Sequence, residues 1–223
     1  MLTFGSSLPD GLPAFRDQVR KVGVTAQILL IRHAAHGQIG AVLSGRTPDL
    51  ALSAEGREQA EALAARLAPT PLAAIQASPV QRAQETALAL AAPHAGLVVE
   101  TVPALDEVDF GAWQGRAFAE LAGDPLWERW NSERGSAGTP GGETMAAAQE
   151  RAWDHVVETA LARSGETLAM VSHCDVIRAV IARVLGLSLD RLLAFEIDPA
   201  SLSRIEVGNW GARLLSLNEV AHG

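Results

Sequence analysis

Residues 27–33, Gln-Ile-Leu-Leu-Ile-Arg-His, contain a short aliphatic run that ends abruptly in two polar side chains, Arg32 and His33. Such a run is typical of a strand that is buried on both faces of a sheet. Residues 167–173, Thr-Leu-Ala-Met-Val-Ser-His, repeat the pattern and end in a serine and His173. Because ligands bind beyond the carboxyl ends of parallel strands, we expect the two polar pairs to meet in one crevice.

Predicted strands and helices alternate along the rest of the chain. Further strands are predicted at residues 72–76 and 97–102, with a terminal hairpin at 203–207 and 213–217. Helices are predicted from the Ser53 N-cap to Leu67, from Pro79 to Ala91 behind a Ser78 N-cap, and over 124–133, 143–163 and 175–185. Residues 105–115 show no clean period and are interpreted as a loop. The alternation predicts an α/β fold, a three-layer α/β/α sandwich around a mostly parallel sheet.

Composition and charge limit the classes of function. The 223 residues are 48% hydrophobic and contain no recognisable interior linker, so we expect one folded domain at 27–223 behind an N-terminal extension at 1–26. The extension lacks the apolar core of an export signal, and no apolar run reaches the length of a membrane span. A net charge of −8 argues against nucleic acid or a membrane surface as a partner. The single cysteine, Cys174, suits a reducing compartment, which predicts a cytoplasmic protein. Monomer and homodimer both stay open.

Arginine supplies nearly all of the positive charge, since Lys21 is the one lysine among 18 basic residues. A guanidinium group binds phosphate through two parallel hydrogen bonds, and Arg82 falls in the first turn of a predicted helix. A lone histidine after a strand is more often structural than functional. Histidines at two strand ends, His33 and His173, together with Arg32 and Arg82, favour a phosphate-binding crevice.

The motifs around these residues resemble those of the histidine phosphatase superfamily, also called phosphoglycerate mutase-like. Leu-Leu-Ile-Arg32-His33-Ala34 resembles the strand-end Arg-His-Gly motif of that family. The further motifs follow in the family's order: Leu52-Ser53 with Gly56 and Gln59-Ala60; Ser78-Pro79 with Arg82-Ala83 and Thr86-Ala87; Leu105-Asp106-Glu107 with Phe110-Gly111 and Trp113-Gln114-Gly115; Pro140-Gly141-Gly142-Glu143-Thr144; and Val171-Ser172-His173 with Val176-Ile177-Arg178. Each motif is weak alone, but their common order over residues 27–217 is specific.

The resemblance implies a mechanism and the fold of the phosphoglycerate mutase-like proteins. The implied catalytic residues are His33, Glu107, His173, Arg32 and Arg82. His33 would attack phosphorus and form a phosphohistidine, while the cationic groups and His173 neutralise the phosphoryl oxygens. Glu107 would protonate the leaving oxygen and then activate water, although Asp106 and Asp109 lie close enough to compete for that role. The mechanism requires no metal or other cofactor, and the implied substrate is a small phosphorylated metabolite.

The sequence departs from the family pattern near the phosphate. Ala34 and Cys174 replace glycines, and His36 replaces a serine or threonine. Ile39 stands where the family often has an asparagine that contacts phosphate. We expect His36, Gln38, Ser44 or Arg46 to supply the missing donors, with Arg46 favoured. The predicted substrate-binding set is Arg32, Arg82, His173, His36, Ser44, Gly45, Arg46 and Cys174.

Four other functions are weighed against hydrolysis through His33. A cysteine phosphatase would use Cys174, whose pKa a helix N-terminus lowers, but Arg178 does not fit the Cys-x5-Arg spacing. A metal hydrolase would use His33, His36, His173 and Cys174 as ligands. A mutase would resemble the family more fully, and a non-catalytic phospholigand-binding protein would account for the lost glycines. Residues 115–142 are expected to cover the pocket, with Trp127, Arg129, Trp130 and Arg134 as candidate specificity contacts, although both tryptophans suit a core equally well.

Overall fold

The computed structural model of the protein describes residues 25–221. The predicted extension at 1–26 lies almost entirely outside this range, so the domain boundary stays a prediction. The described residues form a six-stranded sheet whose strands are β1 (Ala26–Arg32), β2 (Leu72–Ala77), β3 (Val99–Thr101), β4 (Thr167–Ser172), β5 (Leu202–Gly208) and β6 (Gly211–Glu219). The strand order is β3-β2-β4-β1-β5-β6. The first four strands in that order pair in parallel, and β5 and β6 add an antiparallel edge.

Helices cover both faces of the sheet. They are α1 (Ala54–Leu67), α2 (Gln81–Ala91), α3 (Phe118–Leu121), α4 (Pro125–Ser132), α5 (Met145–Ala162) and α6 (Cys174–Leu185), with 3-10 turns at Pro103–Leu105, Gly111–Trp113 and Leu189–Ala194. Alternate residues of β1 face two separate cores. Leu29 and Ile31 share one core with residues of α1 and α2, whereas Ile28 and Leu30 share the other with residues of α5 and α6. The predicted three-layer α/β/α sandwich is therefore confirmed.

Local signals set most of the element ends. The Ser53 hydroxyl accepts the Gly56 N–H and begins α1, as predicted. Gly186, in the left-handed conformation, ends α6. The predicted start of α2 is wrong, because the helix begins at Gln81 behind Val80 and Ser78 makes other contacts. The predicted strand at 97–102 is shorter than expected, since β3 pairs with three residues of β2 only. No helix in residues 25–221 is long and apolar enough to cross a bilayer.

Candidate active site

Three neighbouring parallel strands deliver the polar side chains to one place. Arg32 pairs with Ser172 across β1 and β4, and β4 pairs on its other side with β2. His33 and His173 therefore leave the sheet side by side, with ring centroids 5.1 Å apart. Ser78 leaves β2 beside them and donates its N–H to the last carbonyl of the β4 aliphatic run, at 3.0 Å. The convergence predicted from the two strand ends is confirmed.

Backbone and arginine contacts fix the orientation of His33. Its Nδ1 lies 2.9 Å from the Ala34 carbonyl oxygen, which can only accept, so Nδ1 carries the proton. Arg82 donates from Nε to His33 Nε2 at 3.2 Å, as it can only to an unprotonated nitrogen. Nε2 is therefore the unprotonated ring nitrogen, as a nucleophile requires, and its lone pair accepts from Arg82.

Residues of two sequence motifs hold the loop that carries His33. The Thr86 hydroxyl accepts the Ala34 N–H at 3.0 Å, and Gln59 Oε1 accepts the Ala35 N–H at 3.0 Å. Gly56 permits the contact between this loop and α1, because a Cβ there would lie 1.9 Å from the Ala35 carbonyl oxygen. Ala34 itself is fully buried against the α1 and α2 core, so the methyl group that replaces the family glycine fills a packed position.

A chain of hydrogen bonds fixes His173 from behind. Arg82 Nη2 donates to Nδ1 at 3.2 Å, which places the His173 proton on Nε2. Nε2 then donates to the Ser78 hydroxyl at 2.8 Å, and that hydroxyl donates to Asp106 Oδ1 at 3.0 Å. Ser78 thus links His173 to a carboxylate. Asp106, the candidate rival acid, is occupied by this contact and by the Glu107 N–H at 2.8 Å.

Two guanidinium groups of the site, those of Arg82 and Arg32, each retain a buried N–H donor without a hydrogen-bond partner in the described part of the chain. Arg82 is 1% exposed, and its contacts to both histidines and to the Gly45 carbonyl oxygen leave Nη1 without a hydrogen-bond partner. Arg32 donates from Nη1 to the Ile197 carbonyl oxygen at 2.6 Å, while its buried Nε has no partner. Buried charged donors are costly to leave unpaired. Their presence beside a histidine lone pair is the arrangement expected of an oxyanion site.

The same two arginines keep the histidines neutral. Burial, and after it the charges of Arg82 and Arg32, hold the pKa of His33 well below its usual range. The pKa of His173 is lowered well below its usual range for the same reasons, burial first and Arg82 second. Burial followed by the Arg82 charge lowers the pKa of His36 to about 4. All three rings are therefore neutral at physiological pH, and His33 keeps its lone pair.

Glu107 has the opposite electrostatic character. Its Oε2 lies 3.8 Å from His173 Nδ1, and Oε1 accepts the Val108 N–H at 2.9 Å. Burial, and after it the nearby charge of Asp175, raises the pKa of Glu107 to about 7. A carboxyl group near that value can release a proton in one step and accept one in the next. Of the three carboxylates proposed from the sequence, Glu107 is the one that lines the pocket.

These groups line a pocket of about 140 Å³. Its walls are formed by Arg32, His33, His36, Ile39, Gly40, Val42, Leu43, Ser44, Gly45, Arg82, Glu107, Phe110, Phe118, Cys174 and Asp175. Six of the eight predicted substrate contacts are among them: Arg32, Arg82, His36, Ser44, Gly45 and Cys174. His173 is fully buried and does not line the pocket. Sequence reasoning missed the aromatic and aliphatic wall and Asp175. The position of Asp175 two residues after His173, at the start of a helix after a strand, was a usable signal.

The favoured donor, Arg46, does not line the pocket. Its Nη2 donates to Glu143 at 2.9 Å and its Nε donates to the Glu107 carbonyl oxygen at 2.7 Å. Arg46 therefore binds the loop that carries the acid, and the preference for it as a phosphate donor is wrong. His36 is better placed, since its Nδ1 accepts the Gln38 N–H at 3.3 Å and the remaining ring N–H lies at the pocket.

The candidate specificity contacts in residues 115–142 also lie elsewhere. Trp130 is fully buried, and Trp127 packs edge-on against another core tryptophan. Arg134 pairs with Asp175 at 3.0 Å, and Arg129 pairs with Glu133 on the surface. Phe118 is the residue that this segment contributes to the pocket. The core interpretation of both tryptophans is confirmed.

Cys174 is not poised for nucleophilic attack. Burial raises the pKa of its thiol to about 11, against the lowering expected at a helix N-terminus. Its Sγ lies 3.6 Å from the Ile197 carbonyl oxygen, the same oxygen that binds Arg32. Within residues 25–221, no three His, Cys, Asp or Glu side chains are grouped as ligands of a metal ion. Within the described residues, neither Cys174 as a nucleophile nor His33, His36, His173 and Cys174 as a set of metal ligands is therefore supported by the geometry.

Sequence and structure comparisons agree with this geometry. A family model described as "Histidine phosphatase superfamily (branch 1)" matches residues 28–220. The chain is 30% identical over 200 residues to phosphoserine phosphatase 1 of Hydrogenobacter thermophilus, covering 88% of this chain and 93% of the relative. It is 28% identical over 200 residues to the adenosylcobalamin/alpha-ribazole phosphatase of Escherichia coli, covering 88% and 98%. The solved structure of Bacillus stearothermophilus YhfR aligns with a TM-score of 0.83 at 25% identity, covering 88% of this chain and 98% of that chain.

Proposed function

The chain belongs to the histidine phosphatase superfamily, branch 1, and is a phosphatase; from this premise we propose a metal-independent hydrolysis of small phosphorylated metabolites through a phosphohistidine at His33 Nε2. One observation carries the proposal. Arg82 and Arg32 line the same pocket as His33, whose Nε2 is unprotonated, and each retains a buried N–H, at Arg82 Nη1 and Arg32 Nε, that has no hydrogen-bond partner among the described residues. These donors supply the positive charge that a metal ion supplies in other phosphatases.

The reaction takes two balanced steps. In the first, the Nε2 lone pair of His33 forms the P–N bond as the P–O bond to the leaving group breaks, and Glu107 gives its proton to the leaving oxygen. In the second, the Glu107 carboxylate takes a proton from water, whose oxygen forms a P–O bond as the P–N bond breaks. Nδ1 keeps its proton throughout and donates it in a hydrogen bond to the Ala34 carbonyl oxygen, so the phosphorylated ring keeps its orientation.

The shape and charge of the pocket favour a small leaving group without negative charge. The cations among the described lining residues are the two arginines already assigned to phosphate. The carboxyl groups of Glu107 and Asp175 and the rings of Phe110 and Phe118 line the rest of the wall. A phosphoglycerate would bring its own carboxylate against these carboxyl groups, so hydrolysis is favoured over a mutase reaction. The names of the relatives above, phosphatases for phosphoserine and alpha-ribazole phosphate, support a metabolite of modest size.

The mechanism is tested with an aryl phosphate in the presence of EDTA, comparing the wild type with His33→Ala and Cys174→Ser. We expect the wild type and Cys174→Ser to hydrolyse it and His33→Ala to be inactive. Rapid quenching should trap an acid-labile phosphoenzyme in the first two alone. Loss of activity on chelation or in Cys174→Ser would overturn the proposal.

The substrate class is tested with a panel of three alkyl phosphates: glycerol phosphate, phosphoethanolamine and 3-phosphoglycerate. We expect the first two to be hydrolysed with the higher kcat/KM. A preference for 3-phosphoglycerate, or retention of its phosphoryl group on the enzyme, would favour the mutase. A cytoplasmic location also belongs to the proposal, supported by the presence of a single cysteine, Cys174, which cannot form a disulfide within the chain.

A further inference from the structure

Three charged side chains that are distant from Glu107 in sequence, those of Arg46, Glu143 and Arg151, contact the backbone of the loop that carries Glu107. Arg46 Nε donates to the Glu107 carbonyl oxygen at 2.7 Å, and Arg151 Nη2 donates to the same oxygen at 3.0 Å. Arg151 also donates from Nη1 to the Ala104 carbonyl oxygen at 2.8 Å. Two guanidinium groups thus donate hydrogen bonds to the backbone carbonyl oxygen of Glu107.

Glu143 joins the two arginines to each other. Its Oε1 accepts from Arg46 Nη2 at 2.9 Å and from Arg151 Nη2 at 2.6 Å, and its Oε2 accepts from Arg151 Nε at 3.1 Å. The same Oε1 accepts the Asp109 N–H at 3.0 Å. Asp109 follows Glu107 by two residues in the same loop, which we call the acid loop. Charge-assisted bonds of this length are about twice as strong as neutral ones.

The backbone around Glu143 is fitted to the acid loop as well. The Glu143 N–H donates to the Asp109 carbonyl oxygen at 2.9 Å. Gly142 makes the close approach possible, because a Cβ there would lie 2.1 Å from that oxygen. Glu107 itself lies between two short 3-10 turns and outside any helix or strand, so regular structure does not fix it. Its position depends on these contacts.

We propose that Glu143 is a positioning residue for the general acid: through Arg46 and Arg151 it holds the Glu107 backbone so that the carboxyl group faces the leaving oxygen. The proposal rests on the phosphohistidine mechanism proposed above. Glu143 touches neither substrate nor His33, and it acts through Glu107. A shift of about 1 Å in a catalytic group costs on the order of 100-fold in rate.

The role predicts a dependence on the leaving group. An acidic phenol leaves without protonation, whereas an alkoxide requires the proton of Glu107. We therefore expect Glu143→Gln to slow the formation of phosphoenzyme from an alkyl phosphate by on the order of 10- to 100-fold, and from a nitrophenyl phosphate by less than about threefold. Glutamine keeps the size of the side chain but loses the charge that both guanidinium groups share.

The experiment measures phosphoenzyme formation by rapid quench with both substrates in the wild type and Glu143→Gln. The exposed Glu150 of the same region of the chain provides the matched control, Glu150→Gln, which should behave as the wild type. Arg151→Gln removes the contacts of Arg151 to both Glu143 and the Glu107 carbonyl oxygen, and it should show the same leaving-group dependence. This second variant tests the proposal even if Glu143→Gln folds poorly. Equal slowing with both substrates, or no slowing with either, would overturn the positioning role.

A double mutant separates this proposal from the mechanism beneath it. If Glu143 acts through Glu107, adding Glu143→Gln to Glu107→Gln should cost no further rate with the alkyl phosphate. Additive losses would overturn the positioning role and leave the phosphohistidine mechanism intact. If instead Glu107→Gln showed no leaving-group dependence of its own, or no phosphohistidine formed in the wild type, the proposed function would fail.

Discussion

Replacing Glu107 by glutamine should stabilise the folded protein at alkaline pH while it removes the acid. The pKa of this carboxyl group rises from its ordinary value near 4.5 to about 7, first because it is buried and second because Asp175 lies nearby. Glutamine has the same shape and keeps an oxygen to accept the Val108 N–H. It carries no charge that must lose its hydration. The substitution therefore removes the cost of a buried carboxylate and little else.

The sign and size of the effect follow from the pKa of Glu107. Between pH 4.5 and about 7 the unfolded chain has released this proton, whereas the folded protein still holds it. The folded state binds more protons in that window, so the free energy of unfolding falls as the pH rises through it. The full loss above the folded pKa is about 3 kcal/mol, of which about 2.5 kcal/mol occurs between about pH 5 and about pH 8. Glu107→Gln should lack this loss and exceed the wild type by about 3 kcal/mol at alkaline pH.

Urea unfolding at both ends of the pH range measures the difference. The wild type, Glu107→Gln and the exposed control Glu150→Gln are compared, with the slope against urea checked for constancy. At alkaline pH the free energy of unfolding of Glu107→Gln should exceed that of the wild type by about 3 kcal/mol, and in a parallel thermal unfolding experiment its midpoint temperature should be higher by about 6–12 °C. The control should follow the wild type. If all three variants lost the same stability between the two pH values, the raised pKa of Glu107 and its role as the acid would both be refuted.

Three further substitutions test the contacts of the site. Arg82→Lys loses the planar guanidinium group that contacts both histidines and, in the proposed mechanism, phosphate. We therefore expect kcat/KM to fall on the order of 100- to 1,000-fold and inorganic phosphate to inhibit more weakly. An unchanged kcat/KM would show that this arginine does not act in the site. Ser78→Ala leaves the His173 Nε2–H without its acceptor and removes one donor from Asp106, so unfolding in urea should show a loss of about 1–3 kcal/mol with a lower kcat. Gly56→Ala places a methyl group against a carbonyl oxygen and should lose about 1–3 kcal/mol in thermal unfolding, while Gly37→Ala, where a Cβ meets nothing within 4 Å, should lose little.

The convergence of the strand ends could be predicted because register and direction are local properties. An aliphatic run that ends in a polar pair marks both the strand and the point where it leaves the sheet. Two such runs, ending at His33 and His173, need only a parallel pairing to bring the residues together, and β1 and β4 pair in this way. Arg82 was predicted in the same way, because it lies in the first turn of the helix that follows the neighbouring strand β2. The grouping of Arg32, His33, Arg82 and His173 was therefore accessible from the sequence.

The direction of a loop side chain was not accessible in the same way. Arg46 follows Gly45, which does line the pocket, yet its guanidinium group turns toward Glu143, 97 residues later. The direction of the Arg46 side chain depends on which carboxylates lie near it in the folded protein. The hydrophobic periodicity of the sequence does not predict the position of those distant carboxylates. Ser78 shows the same limit, since a serine before a proline is a good helix N-cap by type. Its hydroxyl is instead taken by His173 and Asp106, partners that only the sheet brings near.

Two consecutive residues connect the halves of the reaction. The Gly45 carbonyl oxygen accepts Arg82 Nη2 at 2.6 Å and thereby orients the guanidinium group that contacts the nucleophile. The next side chain, Arg46, donates to the carbonyl of Glu107 and so holds the acid. The two contacts come from consecutive residues, so one short segment of the chain holds both Arg82 and the backbone of Glu107. Arg46 was expected to bind phosphate directly; it instead holds the residue that supplies the acid in the proposed mechanism.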